Sequence, residues 1–176
     1  MKLEQGFIQV YTGNGKGKTT AAIGLAVRAL GAGLKVYFVQ FMKNYPYGEI
    51  KILESLKPNL VLKRYGTDDF VFKKKPPAAE LINEMSDGLR EAKQAMLSGK
   101  YDLIILDEIL VSIYFKIFSV QDVINFLKEK PHCAEVVLTG RYSPPEINDL
   151  ADLVSEIREI KHYYQNGIQS RSGIDS

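Results

Sequence analysis

A single cysteine, Cys133, and two histidines, His132 and His162, are all the thiol and imidazole ligands in this chain of 176 residues. One cysteine excludes an internal disulfide and any cysteine-rich zinc site, and it suits a reducing compartment. The histidines make no obvious metal pair, because His132 follows Pro131 in a loop and His162 lies near the C-terminal tail. Long apolar runs are missing too. The opening MKLEQGFIQV lacks the apolar core of a signal peptide, and no run reaches the ~20 residues of a membrane helix. The expectation is a cytoplasmic protein with no membrane partner. Charge of one sign is also scarce: 23 basic against 21 acidic residues leave +2, too little for a broad nucleic-acid footprint. Tryptophan is absent.

What is present is ordinary for a globular chain, with 45% hydrophobic residues gathered in short clusters. The length predicts one domain spanning residues 1–176. Apolar runs rich in β-branched and aromatic residues mark strands at 7–11, 36–41, 60–63, 103–106, 136–138 and, more weakly, 153–157. Several are continuous rather than alternating, as in strands covered on both faces, which favours a parallel sheet. Helical patterns at 18–30, 48–56, 77–97 and 120–129 end at glycine or proline breakers. The alternation gives an α/β domain, a mostly parallel sheet with helices on both faces. Residues 43–47, 66–77 and the polar tail after Lys161 read as loops, the tail being either disordered or held down by a ligand.

Between the first strand and the first helix lies VYTGNGKGKTT, residues 10–20. Glycines let the backbone approach a phosphate and turn its N–H groups inward; the helix N-terminus adds partial positive charge, Lys18 adds a full one, and Thr19 is placed to ligate magnesium. This predicts a P-loop NTPase-like (RecA-like) fold. The usual pattern is G-x-x-x-x-G-K-[ST], but its first position here is Thr12, and the available glycine, Gly13, makes the loop one residue short. Lys16 adds a second charge inside it. Such a cradle holds a polyphosphate without having to present a γ-phosphate for transfer.

Two further stretches point to the same edge of the sheet. In YDLIILDEIL, residues 101–110, a buried strand ends in Asp107 and Glu108. Either carboxylate is suited to hold magnesium beside Thr19; alternatively the pair caps the next helix. In VVLTGRYSPPEI, residues 136–147, a strand runs into Arg141, which would contact phosphate or a carboxylate. No Ser-His-Asp or Cys-His arrangement is evident, and His162 reads as a polar contact rather than a base. The site is rich in phosphate and magnesium ligands and poor in general bases, which favours a nucleophile that needs none.

Taken in order, T-G-N-G-K-G-K-T-T-A-A-x-G at 12–24, Arg28-Ala29, V-Q-F-x-K at 39–43, Gly48-Glu49, L-D-E at 106–108, T-G-R at 139–141, A-D-L-V-S-E-I-R at 151–158, Lys161-His162 and Gly173-Ile174-Asp175 resemble the P-loop family of corrinoid adenosyltransferases. The resemblance spans nearly the whole chain. It implies transfer of the 5′-deoxyadenosyl group of ATP to the reduced cobalt of a corrinoid, cob(I)alamin or cob(I)yrinic acid a,c-diamide, with release of tripolyphosphate. By resemblance, Gly13, Asn14, Gly15, Lys16, Gly17, Lys18, Thr19 and Thr20 hold the triphosphate together with Arg141, and Lys16 and Lys18 neutralise it. Thr19, Glu108 and Asp107 hold magnesium or manganese. Phe70 and Phe72 stand where the family uses aromatic residues to displace the lower axial ligand of the corrinoid. Relatives commonly carry tryptophan at the second place, so phenylalanine is the apolar wedge here. A flavoprotein reductant and a homodimer are implied as partners, though no residue identifies an interface. Some relatives have a basic segment ahead of the first strand that covers the site; here another element does so or the site is more open. The phosphate loop alone also permits an ATPase, a small-molecule kinase or a nucleotide-dependent corrinoid carrier.

Overall fold

The computed structural model describes residues 2–69 and 76–175. Strands and helices alternate as β1 (Ile8–Thr12), α1 (Lys18–Gly31), β2 (Val36–Phe41), α2 (Glu49–Ser55), β3 (Leu60–Tyr65), α3 (Ala79–Leu97), β4 (Leu103–Asp107), α4 (Ile109–Tyr114), α5 (Val120–Lys128), β5 (Glu135–Thr139), α6 (Pro145–Leu150) and β6 (Leu153–Glu156). A 3-10 turn, Tyr163–Asn166, follows. The six strands form one sheet in the order β3-β2-β4-β5-β1-β6. Every pairing between them is parallel.

Because successive side chains of a strand point to opposite faces, the continuous apolar runs supply two cores. On one face Val36, Phe38, Leu103, Ile105 and Val137 meet Ala22, Ala26 and Ala29 of α1 and Leu53 of α2. On the other, Tyr37, Val39, Phe41, Ile104, Leu106 and Val136 meet Met85 and Met96 of α3, Ile109 of α4, Phe126 of α5 and Ile147 of α6. All six residues of β2 are buried, whereas all four of the edge strand β6 are exposed. Full burial of Phe38 and of Phe41 contributes about 2–3 kcal/mol each. The alanine stripe of α1 lets that helix lie close on the sheet, which fixes its N-terminus above the end of β1.

A parallel sheet puts the carboxyl ends of all its strands on one edge, where open α/β sheets bind ligands. Thr12, Phe41, Asp107, Thr139 and Glu156 end their strands there. Two short helices, α4 and α6, were not predicted from the periodicity. The segment ILVSIY of α4 has no polar face to show a helical period, since Ile109, Leu110, Ser112 and Ile113 are all buried. Helix α6 carries the signal of a proline at its first position, Pro145, following Pro144. Among the described residues no helix is long and apolar enough to cross a membrane.

Candidate active site

Residues 13–17 turn the chain from β1 into α1, with Gly13 at φ 98° and Gly17 at φ 126°. A Cβ on Gly13 would lie 2.4 Å from the carbonyl oxygen of Ile157, and one on Gly15 would lie 2.8 Å from it. These glycines therefore let the segment leaving β6 press against the loop. The Gly15 N–H donates to that same carbonyl at 2.8 Å. The expectation that the loop amides turn inward thus fails at Gly15, whose amide holds the protein together. Lys18 is 7% exposed, and its Nζ donates to the carbonyls of Gly13 and Gly15, each at 2.7 Å. Burial lowers its pKa, and the positive charges of Arg141 and Lys43 act the same way against the opposing pull of Glu108 and Asp107.

At the start of α1, the Thr19 hydroxyl donates to Asp107 Oδ1 at 2.8 Å. Asp107 is fully buried, and Thr139 donates to the same oxygen at 2.6 Å. Its other oxygen accepts from Lys43 Nζ at 2.8 Å and from Gln40 Nε2 at 3.3 Å. Lys43 also donates to Thr19 Oγ1 at 2.8 Å, so one ammonium bridges the hydroxyl and the carboxylate. Burial tends to lower the Lys43 pKa, but the Asp107 and Glu108 charges outweigh it and the net shift is upward. Glu108 sits at φ 63°, in the left-handed region, and its side chain makes no capping hydrogen bond to α4. The capping alternative for this carboxylate pair does not hold. Glu108 instead lines the cavity, and burial together with the Asp107 charge raises its pKa.

The cavity has a volume of about 1270 Å³. Asn14, Gly15, Lys16, Gly17, Lys18, Thr19, Thr20, Glu108 and Arg141 all line it, so the residues singled out on three separate strand ends converge. Gly13 and Asp107 lie behind that lining, as the carbonyl partner of Lys18 and the support of Thr19. Arg141 reaches over the loop, its Nη2 3.5 Å from the Asn14 carbonyl. Phe70 and Phe72 lie outside the described residues.

Some participants were missed as site residues. Lys43 and Gln40 stood in the quoted stretch at 39–43 and Thr139 in that at 139–141, but only the fold shows that they surround Asp107. The tail folds back onto the loop, where Lys16 meets Tyr163, Ile174 and Asp175. His162, on the cavity wall, accepts from the Tyr164 amide at 3.1 Å, a polar contact as expected.

With this geometry in place, comparison with known proteins decides the assignment. A family model described as ATP:corrinoid adenosyltransferase BtuR/CobO/CobP matches residues 4–176. The chain belongs to this family. A corrinoid adenosyltransferase of Escherichia coli strain K12 is 38% identical over 174 residues, covering 98% of this chain and 86% of the relative. The Salmonella typhimurium corrinoid adenosyltransferase CobA is 37% identical with the same coverage, and a Pseudomonas aeruginosa corrinoid adenosyltransferase is 28% identical over 172 residues. The likeness extends far beyond the phosphate loop, so it speaks for the activity and not only for nucleotide binding. The protein is an enzyme with ATP:corrinoid adenosyltransferase activity, acting in cobalamin synthesis or salvage.

Proposed function

We propose that the residues converging on this cavity divide the work of adenosyl transfer as follows. Gly13, Asn14, Gly15, Lys16, Gly17, Lys18, Thr19 and Thr20 hold the triphosphate of ATP, and Arg141 closes over it. Reduced cobalt attacks C5′. The cobalt–carbon bond forms as the C5′–oxygen bond breaks, and the electron pair leaves with tripolyphosphate. Cobalt brings its own lone pair, so no protein base is needed; the enzyme aligns the two substrates and stabilises the charge that gathers on the leaving group. Lys16 and Lys18 supply that stabilisation. What supports this reading is the convergence of the short phosphate loop, Glu108 and Arg141 on one cavity.

A divalent cation, magnesium or manganese, fits the donors beside Thr19. The Lys43 ammonium already bridges Thr19 and Asp107, which shows that the pair suits a positive charge. The neighbouring Gln40 Oε1 is buried without a partner, an acceptor left over at this spot. Thr19 and Glu108 would bind the ion, with Asp107 fixing the threonine hydroxyl, and the ion would neutralise the triphosphate. Among the described residues no cluster of histidine, cysteine and carboxylates could hold a metal alone, in keeping with an ion that arrives with the phosphates. The remaining assignments belong to the same proposal. Phe70 and Phe72 press on the corrinoid in place of its lower ligand, a flavoprotein supplies the electron, and the chain works in the cytoplasm as one domain, as a homodimer.

An anaerobic assay with magnesium, ATP and chemically reduced cobalamin tests the chemistry. Adenosylcobalamin with tripolyphosphate is expected, and ADP with unchanged corrinoid would overturn the reading. Lys18→Ala should lose transfer by about 100-fold or more while corrinoid binding persists; unchanged transfer would remove Lys18 from its role.

A further inference from the structure

Lys16 is the extra lysine of the phosphate loop, and its ammonium is turned toward the C-terminal segment. An ammonium has three donors, and each has a protein acceptor here: the Ile174 carbonyl at 2.6 Å, the Tyr163 hydroxyl at 3.2 Å and a carboxylate oxygen of Asp175. Asp175 is itself held in place. The Tyr163 hydroxyl donates to the oxygen that meets Lys16, while the backbone N–H and the Nε of Arg171 both donate to the other, each at 3.1 Å. The Arg171 guanidinium lies 4.6 Å from the centre of the Tyr163 ring. Carboxylate, tyrosine and arginine thus form a knot within the segment whose own bonds do not involve Lys16.

Docking of that knot does depend on Lys16. Apart from the bond from Gln165 Nε2 to Glu159 Oε1 at 2.9 Å, which ties the segment only to the stretch just before it, the hydrogen bonds joining residues 162–175 to the rest of the described residues start at Lys16 Nζ. No residue from 162 to 175 is buried, so apolar packing adds little. The segment nevertheless forms part of the cavity wall, through His162, Tyr164 and Ile168 among others.

We propose that Asp175 is an exchangeable counter-ion that sets the affinity for triphosphate: its carboxylate takes the place on Lys16 that a phosphate oxygen takes in the complex. This rests on the reading of Lys16 as a triphosphate ligand. With all its donors engaged, Lys16 gains a phosphate oxygen only by giving up an acceptor in the tail, and a polyphosphate carries the larger charge. Binding therefore moves Lys16 from Asp175 to the nucleotide and frees residues 162–175 from the loop. Asp175 competes with substrate, and the wall of the cavity answers to its occupancy.

The test uses inorganic tripolyphosphate with magnesium on the full chain, binding being measured by calorimetry and amide exchange followed over residues 163–175. Asp175→Asn should bind about two- to five-fold more tightly, the scale of an exposed ion pair. In the wild type, tripolyphosphate should speed exchange in the tail, since short turns held by internal contacts alone open readily. Equal or weaker binding by Asp175→Asn overturns the proposal, because a carboxylate that merely oriented Lys16 would help binding. Tighter binding with wild-type tail exchange unchanged overturns it too, since loss of a negative charge would then explain the affinity. Lys16→Ala separates the two layers. If it binds tripolyphosphate like the wild type, Lys16 is no phosphate ligand and both readings fall; if it binds weakly while Asp175→Asn is unaltered, only the exchange falls.

Discussion

Replacing Lys43 by methionine keeps most of the side-chain volume but removes the ammonium that lies against Asp107. The lysine side chain is 12% exposed and the aspartate 0%, so little solvent reaches the gap. Removing one partner of a buried ion pair costs about 3–5 kcal/mol, because the other charge is left uncompensated. Asp107 keeps its hydrogen bonds from Thr19, Thr139 and Gln40, which places the expected loss lower, at about 2–3 kcal/mol. For a chain of this size that is a fall in Tm of about 4–12 °C. The Lys43 pKa is raised in the folded protein. Its stabilisation is then complete below the unfolded lysine pKa and is lost only as pH climbs through the higher folded value. The gap between wild type and Lys43→Met should accordingly stay flat from about pH 7 to 9. Thermal unfolding followed by circular dichroism measures it. Magnesium with tripolyphosphate should raise the Tm of the variant more than that of the wild type, since a second cation then reaches Thr19 and Asp107. A variant that melts within about 1 °C of the wild type would refute the reasoning, because Asp107 would then have no need of the ammonium.

Other outcomes follow from single contacts. Gly13→Ala puts a methyl group 2.4 Å from the Ile157 carbonyl at a backbone φ of 98°, so it should unseat β6 from the loop and abolish tripolyphosphate binding, read by calorimetry. Ser119→Ala breaks the capping box with Asp122 at the start of α5 and should cost about 1 kcal/mol in denaturant unfolding with transfer activity retained. Burial first, then the nearby Glu91 charge, pushes the Tyr37 pKa up to about 12. The unfolded tyrosine ionises sooner, so stability should fall as pH rises from about 10 toward 12, and Tyr37→Phe should flatten that part of the profile.

The sheet was legible because its central strands are buried on both faces: runs such as YFVQF and LIILD need no alternation to be recognised, and every predicted strand is present within two residues at either end. The phosphate loop, Glu108 and Arg141 were legible because each follows a strand directly, and parallel strands bring their ends together. Lys43 was not, since its importance lies in the distance to Asp107, 64 residues away in sequence. The contact of the tail with the loop was hidden for a similar reason. The tail's polar composition looks like that of a loose terminus, and only the fold of residues 162–175 delivers Asp175 to a lysine 159 positions earlier. Glycine was read as room for a phosphate, whereas at 13 and 15 it is first of all room for Ile157 and Arg158.

In this structure three lysines of the site are paired by the protein itself: Lys16 with Asp175, Lys18 with the carbonyls of Gly13 and Gly15, and Lys43 with Asp107 and Thr19. Concentrated positive charge would otherwise destabilise the fold around it. On the proposed reading triphosphate binding by Lys16 and Lys18 is then a series of exchanges, so affinity reflects differences between partners rather than the number of lysines. Exchange also suits the chemistry. On that same reading the group held by Lys16 and Lys18 leaves the reaction, and charge grows on it as the C5′–oxygen bond breaks, so an ammonium that is only partly compensated in the bound substrate gains most at the transition state. A kinase loop must instead hold a γ-phosphate in line with an attacking oxygen. A loop one residue shorter, its carbonyls folded onto its own lysine, has no such demand to meet.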